Sequence, residues 1–270
     1  MQRDDEQSAS GWTQRVASFY SRSAPGYEAL WAPELLLFAR RLLGELPLGS
    51  ADRVLDVGSG VGGLLPDIES RAMGAFVVGS DISFGMLRRA PERYARVVSD
   101  AQQLPFADSV FAVAALAFML FHVPEPTRGL EEVRRVLRDG GAIGTVTWGS
   151  DPGYLALDVW NEELAARGAD AAQEIARHDL VDTEEKVVQL LETTGYSSVR
   201  TWIDWREDQM TLESFLEHRT GHGMSRCRFE SLPAQVRAEV IEATTERLRS
   251  APSSAFSDRS EVIYATAVAG

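Results

Sequence analysis

A seven-stranded, doubly wound α/β sheet is predicted by three observations. Apolar strand-like runs alternate with helical patterns from residue 53 to residue 148, the rhythm a parallel sheet with crossover helices requires. One such run, Val54-Leu55-Asp56-Val57, enters a loop of four glycines, Gly58-Ser59-Gly60-Val61-Gly62-Gly63. Acidic residues stand in or just after three successive strands: Asp56, Asp81 and Asp100. A strand, a glycine loop and a helix in this order let a Rossmann-like fold bring its backbone close to a nucleotide-like ligand, because glycine turns sharply and carries no Cβ.

The elements are expected as follows. Gly11 to Leu46 reads as helices carrying Trp12, Phe19, Tyr20, Tyr27, Trp31 and Phe38, broken by Pro47-Leu48-Gly49-Ser50. Strands fall at Arg53–Val57, Ala75–Ser80, Arg96–Ser99, Val110–Ala117 and Ala142–Trp148. The fourth is almost wholly apolar, as a strand buried on both faces should be. Helices fall at Leu64–Arg71, Phe84–Ala90 and Thr127–Leu137, the last stopped by Asp139-Gly140-Gly141. After Trp148 the rhythm changes. Asp151–His178 and Thr211–Ser250 read as helical insertions around a crossover helix at Thr183–Thr194 and a strand at Val199–Trp205, and Glu261–Ala267 closes the sheet. The chain thus divides into an N-terminal helical cap segment (1–49), a cofactor-binding core (50–150), a helical insertion (151–180), the core continued (181–208), a cap insertion (209–258) and a final core strand (259–270).

Composition narrows the partners. The 270 residues carry a net charge of −13, with 40 acidic against 27 basic side chains, and Lys186 is the sole lysine. Such a chain is repelled by phosphate backbones, and no basic patch is visible, so nucleic acid is not expected. Cys227 stands alone, which excludes an intramolecular disulfide and a cysteine metal cluster. No carboxylate cluster with magnesium-type spacing appears either, so no metal is expected. Met1 to Ser10 has neither a basic nor an apolar region of the signal-peptide kind. The longest apolar run, Val110 to Val123, is interrupted by His122 and too short to span a bilayer. A cytoplasmic enzyme without membrane insertion, monomeric or homodimeric, is the expectation.

The spacing of the acids discriminates between cofactors. Asp56 precedes Gly58 by two positions, Asp81 ends the second strand and Asp100 follows the third. All three project from the carboxyl edge of the sheet, where open α/β sheets bind ligands. A carboxylate after the second strand can accept from both ribose hydroxyls, one after the third from an adenine amine, and one beside the loop can hold an ammonium. S-adenosylmethionine has these groups in this order. Gly58, Gly60 and Gly63 also satisfy G-x-G-x-x-G, but a dinucleotide pyrophosphate beside Asp56 meets like-charge repulsion.

Val54–Gly63, Val77-Val78-Gly79-Ser80-Asp81-Ile82-Ser83 with Met86-Leu87, and Asp100-Ala101-Gln102-Gln103-Leu104-Pro105-Phe106 resemble the successive motifs of class I S-adenosylmethionine-dependent methyltransferases. With Phe121-His122-Val123-Pro124 and Glu132 to Gly141, the pattern is similar to the ubiquinone/menaquinone-biosynthesis branch and its small-molecule relatives. The resemblance covers Arg53 to Trp148. It implies that Gly58, Gly60 and Gly62 pass close to the methionine portion and that Asp56 positions its amino group. It further implies that Asp81 takes the ribose hydroxyls, Ile82 packs on adenine, Asp100 and the Ala101 backbone read the adenine edge, and Ala117 and Phe118 lie near the sulfonium. Tyr20 and Tyr27 belong to a segment that closes over the cofactor in such relatives. Two departures stand out: Ala112 where the pattern has Asp, and Asp139 where it has Pro.

Each assignment has a plainer competitor. The glycines could serve close packing, Asp81 and Asp100 could be helix N-caps, and the tyrosines could fill a core. His122, after the fourth strand, is a candidate general base, since imidazole titrates near neutrality; a positioning role competes with it. Trp31, Phe121 and His222 are assigned to the substrate pocket. The expected activity is methyl transfer from S-adenosylmethionine to oxygen or carbon of a small molecule. The alternatives are N-methylation of an amine, cofactor binding without transfer, and nicotinamide-dependent redox chemistry.

Overall fold

The computed structural model describes residues 2–150, 153–169, 175–221 and 223–270. Seven strands form one mixed sheet in the order β3-β2-β1-β4-β5-β7-β6. β1 (Arg53–Val57) and β4 (Phe111–Ala117) are central; Leu55 and Ala114, partners in parallel register, are fully buried. β2 (Phe76–Asp81) and β3 (Ala95–Val98) extend the sheet on one side, both parallel. On the other side β5 (Leu137–Trp148) is parallel to β4, and β7 (Ser257–Ala269) returns antiparallel. β6 (Tyr196–Gln209) forms the edge. The order reverses between β1 and β4, which places the ligand crevice at their carboxyl ends.

The helices follow the apolar patterning. α1 (Gln2–Gly26) runs through a π-helical turn at Tyr27–Trp31 into α2 (Ala32–Gly44), whose Leu42 and Leu43 are buried in the core formed with the sheet. α3 (Leu65–Arg71), α4 (Phe84–Leu87) and α5 (Pro126–Val136) are the crossovers of the first half. In the second half come α6 (Leu155–Ala166), α7 (Glu184–Thr193), α8 (Leu212–Gly221), α9 (Gly223–Glu230) and α10 (Ala234–Leu248). Among the described residues, no helix is long and apolar enough to cross a membrane.

Three local differences from expectation have physical causes. Asp139-Gly140-Gly141 does not separate helix from strand: β5 begins at Leu137, and the register against β4 shifts between Phe111 and Val113. Gly140, with φ 74°, absorbs the bulge. Both pattern departures, Ala112 and Asp139, fall in this irregular stretch. In the first insertion helix ends at Ala166, short of His178. β6 and β7 are longer than read, because their charged outer segments lack apolar alternation.

The chain forms two compact units. One comprises Met1–Gly149, Ile175–Asp204 and Val262–Gly270, and so holds the N-terminal helices together with the sheet. The other comprises Ser150–Glu174 and Trp205–Glu261, joining the two later helical stretches. It has a core of its own around Trp160, Phe215, Val240 and Phe256, with a buried Arg206–Asp258 ion pair at 2.8 Å.

Candidate functional site

At the carboxyl ends of β1, β2 and β4 lies a chamber bounded by Tyr20, Asp81, Asp100, Phe118 and His122. Gly58 and Gly60 line it. Gly58 has φ 74°, and a Cβ there would lie 2.6 Å from the Cβ of Met119, so both backbone and space demand glycine. Gly62 does different work: it lines no chamber, and its open face lets the loop pack on Ala90, 2.6 Å from where a Cβ would stand. It was expected beside the methionine portion, and its neighbours Val61 and Gly63 line the second chamber.

Asp81 ends β2 and faces the chamber. Its Oδ2 accepts from Gly60 N–H and its Oδ1 from Ser83 N–H, each at 2.8 Å, which ties the glycine loop to the second strand. Ser83, not Asp81, caps α4, accepting from Met86 N–H at 3.2 Å. Each carboxylate oxygen keeps acceptor capacity for a ligand. Burial pushes Asp81 up to about 6, against those two backbone bonds. Asp100 accepts from Gln102 N–H at 2.9 Å and from the Thr13 hydroxyl at 3.5 Å, and lines the chamber with Ile82 and Ala101.

Asp56 is 2% exposed, and its Oδ2 has no hydrogen-bond partner among the described residues. Burial and then repulsion from Asp81 push it up to about 7. It does not line the main chamber. It opens on a second, smaller one with Ser59, Leu35 and Leu36, and the two chambers share Tyr27, Gly58, Ala117 and Phe118. Among the described residues, no arginine or lysine lines either chamber. The carboxylates therefore lack a side-chain cation that would hold them ionised, and a cationic ligand would fit beside them. A pyrophosphate finds no counter-charge here.

Beyond β4 the backbone of Phe118 takes φ 53°, a conformation costing a non-glycine residue of order 1–3 kcal/mol. The strain turns the chain into the short helical turn Leu120–His122, which aims His122 at the chamber. His122 Nδ1 lies 2.6 Å from the carbonyl oxygen of Ile175. A carbonyl can only accept, so Nδ1 carries the proton and Nε2 is the acceptor. The Tyr20 hydroxyl, 2.6 Å from Nε2, donates to it. Burial pushes His122 down to about 4, with nearby His178 adding to the effect against the Ile175 bond. Burial, reinforced by Tyr27 and Asp81, raises Tyr20 above the ordinary phenol range. Both groups are thus neutral near pH 7. As a unit they can take up one proton: the Tyr20 oxygen receives it while its own passes to Nε2, leaving an imidazolium hydrogen-bonded at both nitrogens.

The N-terminal helix is bound to this edge by polar contacts. Trp12 Nε1 donates to the His122 carbonyl at 2.9 Å, and the Ser21 and Ser83 hydroxyls lie 2.8 Å apart. Tyr20 and Tyr27 pack edge to face, 5.9 Å between centroids, and both line the chamber. The three residues assigned to the substrate pocket fare differently. Phe121 is buried between the rings of His122 and His178, at 4.4 and 4.3 Å, and lines neither chamber. It is a packing residue because the turn rotates it away from the cavity. Trp31 also lines neither. His222 lies outside the described residues. The sequence reading missed Met86 and Met119, whose generic apolar character hides their place in the wall, and the Ile175 carbonyl, a backbone group without any side-chain signature. No group of three or more metal-ligating side chains stands together among the described residues.

Comparison with known proteins agrees with this geometry. Residues 55–144 match the family described as "Methyltransferase domain". The demethylmenaquinone methyltransferase of Mycobacterium sp. (strain KMS) is 31% identical over 194 residues, which cover 70% of this chain and 79% of that protein. Among solved structures, the YcgJ protein of Bacillus subtilis superposes with a TM-score of 0.59 at 14% identity, covering 86% of this chain and 98% of the other. Phosphoethanolamine N-methyltransferase 2 of Haemonchus contortus, solved in complex with S-adenosyl-L-methionine, gives a TM-score of 0.53 at 19% identity, covering 92% and 57%. A strand-end crevice with buried, uncompensated carboxylates and a sequence of this likeness lead to one conclusion: the chain belongs to the S-adenosylmethionine-dependent methyltransferases.

Proposed function

We propose that the protein methylates an oxygen or carbon of a small, neutral, largely apolar acceptor that must lose a proton to react. The observation that carries this reading is the Tyr20–His122 pair on the chamber wall. When bound, S-adenosylmethionine supplies a methyl group on a sulfonium that is already an excellent leaving group. The chain then has to bind, align, exclude water and receive a proton. Asp81 holds the ribose hydroxyls, Asp100 and Ala101 the adenine edge, Ile82 its face, and Asp56 the ammonium. Gly58, Gly60, Ala117 and Phe118 bound the path of the methionine portion. Tyr20 faces the acceptor and passes its proton to His122.

An amine acceptor is less well served. A neutral amine reacts through its own lone pair and makes no use of a proton acceptor at Tyr20 and His122 during the transfer. A phosphorylated acceptor is disfavoured, since no arginine or lysine among the described residues lines the chambers. Demethylmenaquinone, named in the curated relatives, is the first acceptor to try. A cytoplasmic monomer or homodimer, with the N-terminal helices as a cap segment, completes the reading.

The test is a pair of variants at saturating cofactor. His122→Asn keeps a hydrogen bond but is not basic, and should lower turnover by about 10²-fold, the low end of a positioned base's worth, because burial makes His122 a weak base. Tyr20→Phe should be comparably poor. A Tyr20→Phe enzyme as fast as wild type would show that Tyr20 does not relay the proton, and a fast His122→Asn enzyme that no base is needed.

A further inference from the structure

Ser80 and Ser99 stand one residue before Asp81 and Asp100, the carboxylates placed at the ribose and at the adenine amine. Both serines line the main chamber, and their hydroxyls lie 2.5 Å apart. Backbone bonds fix this corner of the sheet without them. Ser99 N–H donates to the Asp81 carbonyl at 3.0 Å, and the Ser80 carbonyl accepts from Gly58 and Ser59 N–H at 2.7 and 2.9 Å. The hydroxyl pair is therefore available for another task.

Donors and acceptors do not balance in the pair. Two hydroxyls carry two protons, and the bond between them uses one. The second has no partner among the described residues. Ser80 is 1% exposed and Ser99 is half-buried, so Ser80 donates to Ser99 and the more open Ser99 keeps its proton for the chamber. Its neighbours are committed: the Thr13 hydroxyl donates to Asp100 at 3.5 Å and the Gln102 amide to the same carboxylate at 3.2 Å. Beside Asp100, Ser99 is the uncommitted side-chain donor. Adenosine calls for one. Its ribose hydroxyls and amino group are donors and suit the carboxylates, but its ring nitrogens are acceptors. N1 lies beside the amino group, at the edge given to Ala101. N3 lies between that edge and the ribose, as the serine pair joins the two strand ends that carry the carboxylates.

We propose that the Ser99 hydroxyl, oriented by Ser80, donates to N3 of the cofactor's adenine, which makes the pair a specificity-determining element for the base. The inference rests on the cofactor placement above and adds a donor to a wall whose anchors are acceptors. A purine with carbon in place of N3 leaves the Ser99 proton unpaired, which costs more than the bond alone. Replacing both serines by alanine removes donor and acceptor together and leaves no buried hydroxyl behind.

Calorimetric titration with S-adenosylhomocysteine and its 3-deaza and 7-deaza analogues tests this, on the wild-type protein and on the double variant Ser80→Ala, Ser99→Ala. Wild type should bind the 3-deaza analogue about three- to tenfold more weakly than the parent, the usual worth of one neutral hydrogen bond. It should bind the 7-deaza analogue as tightly as the parent. In the double variant the parent should weaken by a similar factor, and the gap between parent and 3-deaza analogue should vanish, the mark of a direct contact. The comparison of ligands on wild type needs no variant to fold. Equal wild-type affinity for parent and 3-deaza analogue, or a double variant that weakens both alike, overturns the contact and leaves the serines a strand-end packing pair. If Asp81→Ala binds all three ligands like wild type, the cofactor placement itself falls, and the contact with it.

Discussion

Asp56 and Asp81 are buried carboxylates without a cation, and their raised values set the sign of the pH dependence. A cationic ligand needs both ionised. Below pH 6 both bind a proton that the ligand must expel; above 7 neither does. S-adenosylmethionine affinity should therefore rise from pH 5 to 7.5, with proton release at the lower end measurable by calorimetry in buffers of different ionisation enthalpy. Asp56→Asn should flatten the upper part of that rise, and an unaltered profile would remove Asp56 from the site. Asp81→Ala deletes two charge-assisted bonds, each worth roughly 1.5–3 kcal/mol, and should weaken binding at least tenfold in a direct titration. His122 adds a separate signature. Only neutral imidazole accepts a proton, and burial pushes His122 down to about 4, so the acid limb of turnover should lie well below the ordinary histidine range. The carboxylates were legible in the sequence because strand ends carry them to one edge. The Tyr20–His122 bond was not, since it joins positions 102 residues apart and its geometry is set by a backbone carbonyl.

Among the elements, α1 and α4 approach each other closely at Gly85. A Cβ there would lie 2.6 Å from the Cα of Ser21 and 2.9 Å from its carbonyl oxygen, atoms of helix backbone that cannot turn aside. Gly85→Ala should push α1 off the edge of the sheet, costing about 1–3 kcal/mol and weakening cofactor binding through the lost Ser21–Ser83 contact. Thermal unfolding and titration of the same variant check this, and wild-type values in both would mean that α1 is not seated there. Sequence patterning placed the first four strands within a residue or two, because buried parallel strands are continuous apolar runs. It misplaced the start of β5, where a glycine pair looked like a helix stop and is instead a bulge. It also passed over the π turn, since no residue preference marks a change from α to π winding within one helical pattern.

For the molecule as a whole, the division into two units follows burial. The unit of Ser150–Glu174 and Trp205–Glu261 closes its own core, with the Arg206–Asp258 pair inside it. Asp258→Ala leaves a buried guanidinium short of its main partner and should cost about 3 kcal/mol, read as a lowered denaturation midpoint. An unshifted midpoint would mean that the pair contributes nothing. The sequence marked both later stretches as interruptions of the α/β rhythm and grouped them with the N-terminal helices as one cap; the two stretches form a unit of their own, while the N-terminal helices belong to the unit of the sheet, a division set by contacts between distant segments that leave no local pattern. The sheet edge and the carboxylates gathered on it were legible; the acceptor was not, for no charged or metal-binding side chain among the described residues announces it. The central claim is therefore best tested on the acceptor. The enzyme should be incubated with methyl-labelled S-adenosylmethionine and a panel comprising demethylmenaquinone, simple phenols and enols, primary amines and phosphoethanolamine, and the labelled products identified by mass spectrometry. Label on oxygen or carbon of a phenol, enol or quinone-type acceptor, lost in His122→Asn, is the predicted result. Label on an amine or on phosphoethanolamine, or transfer indifferent to His122, would contradict it.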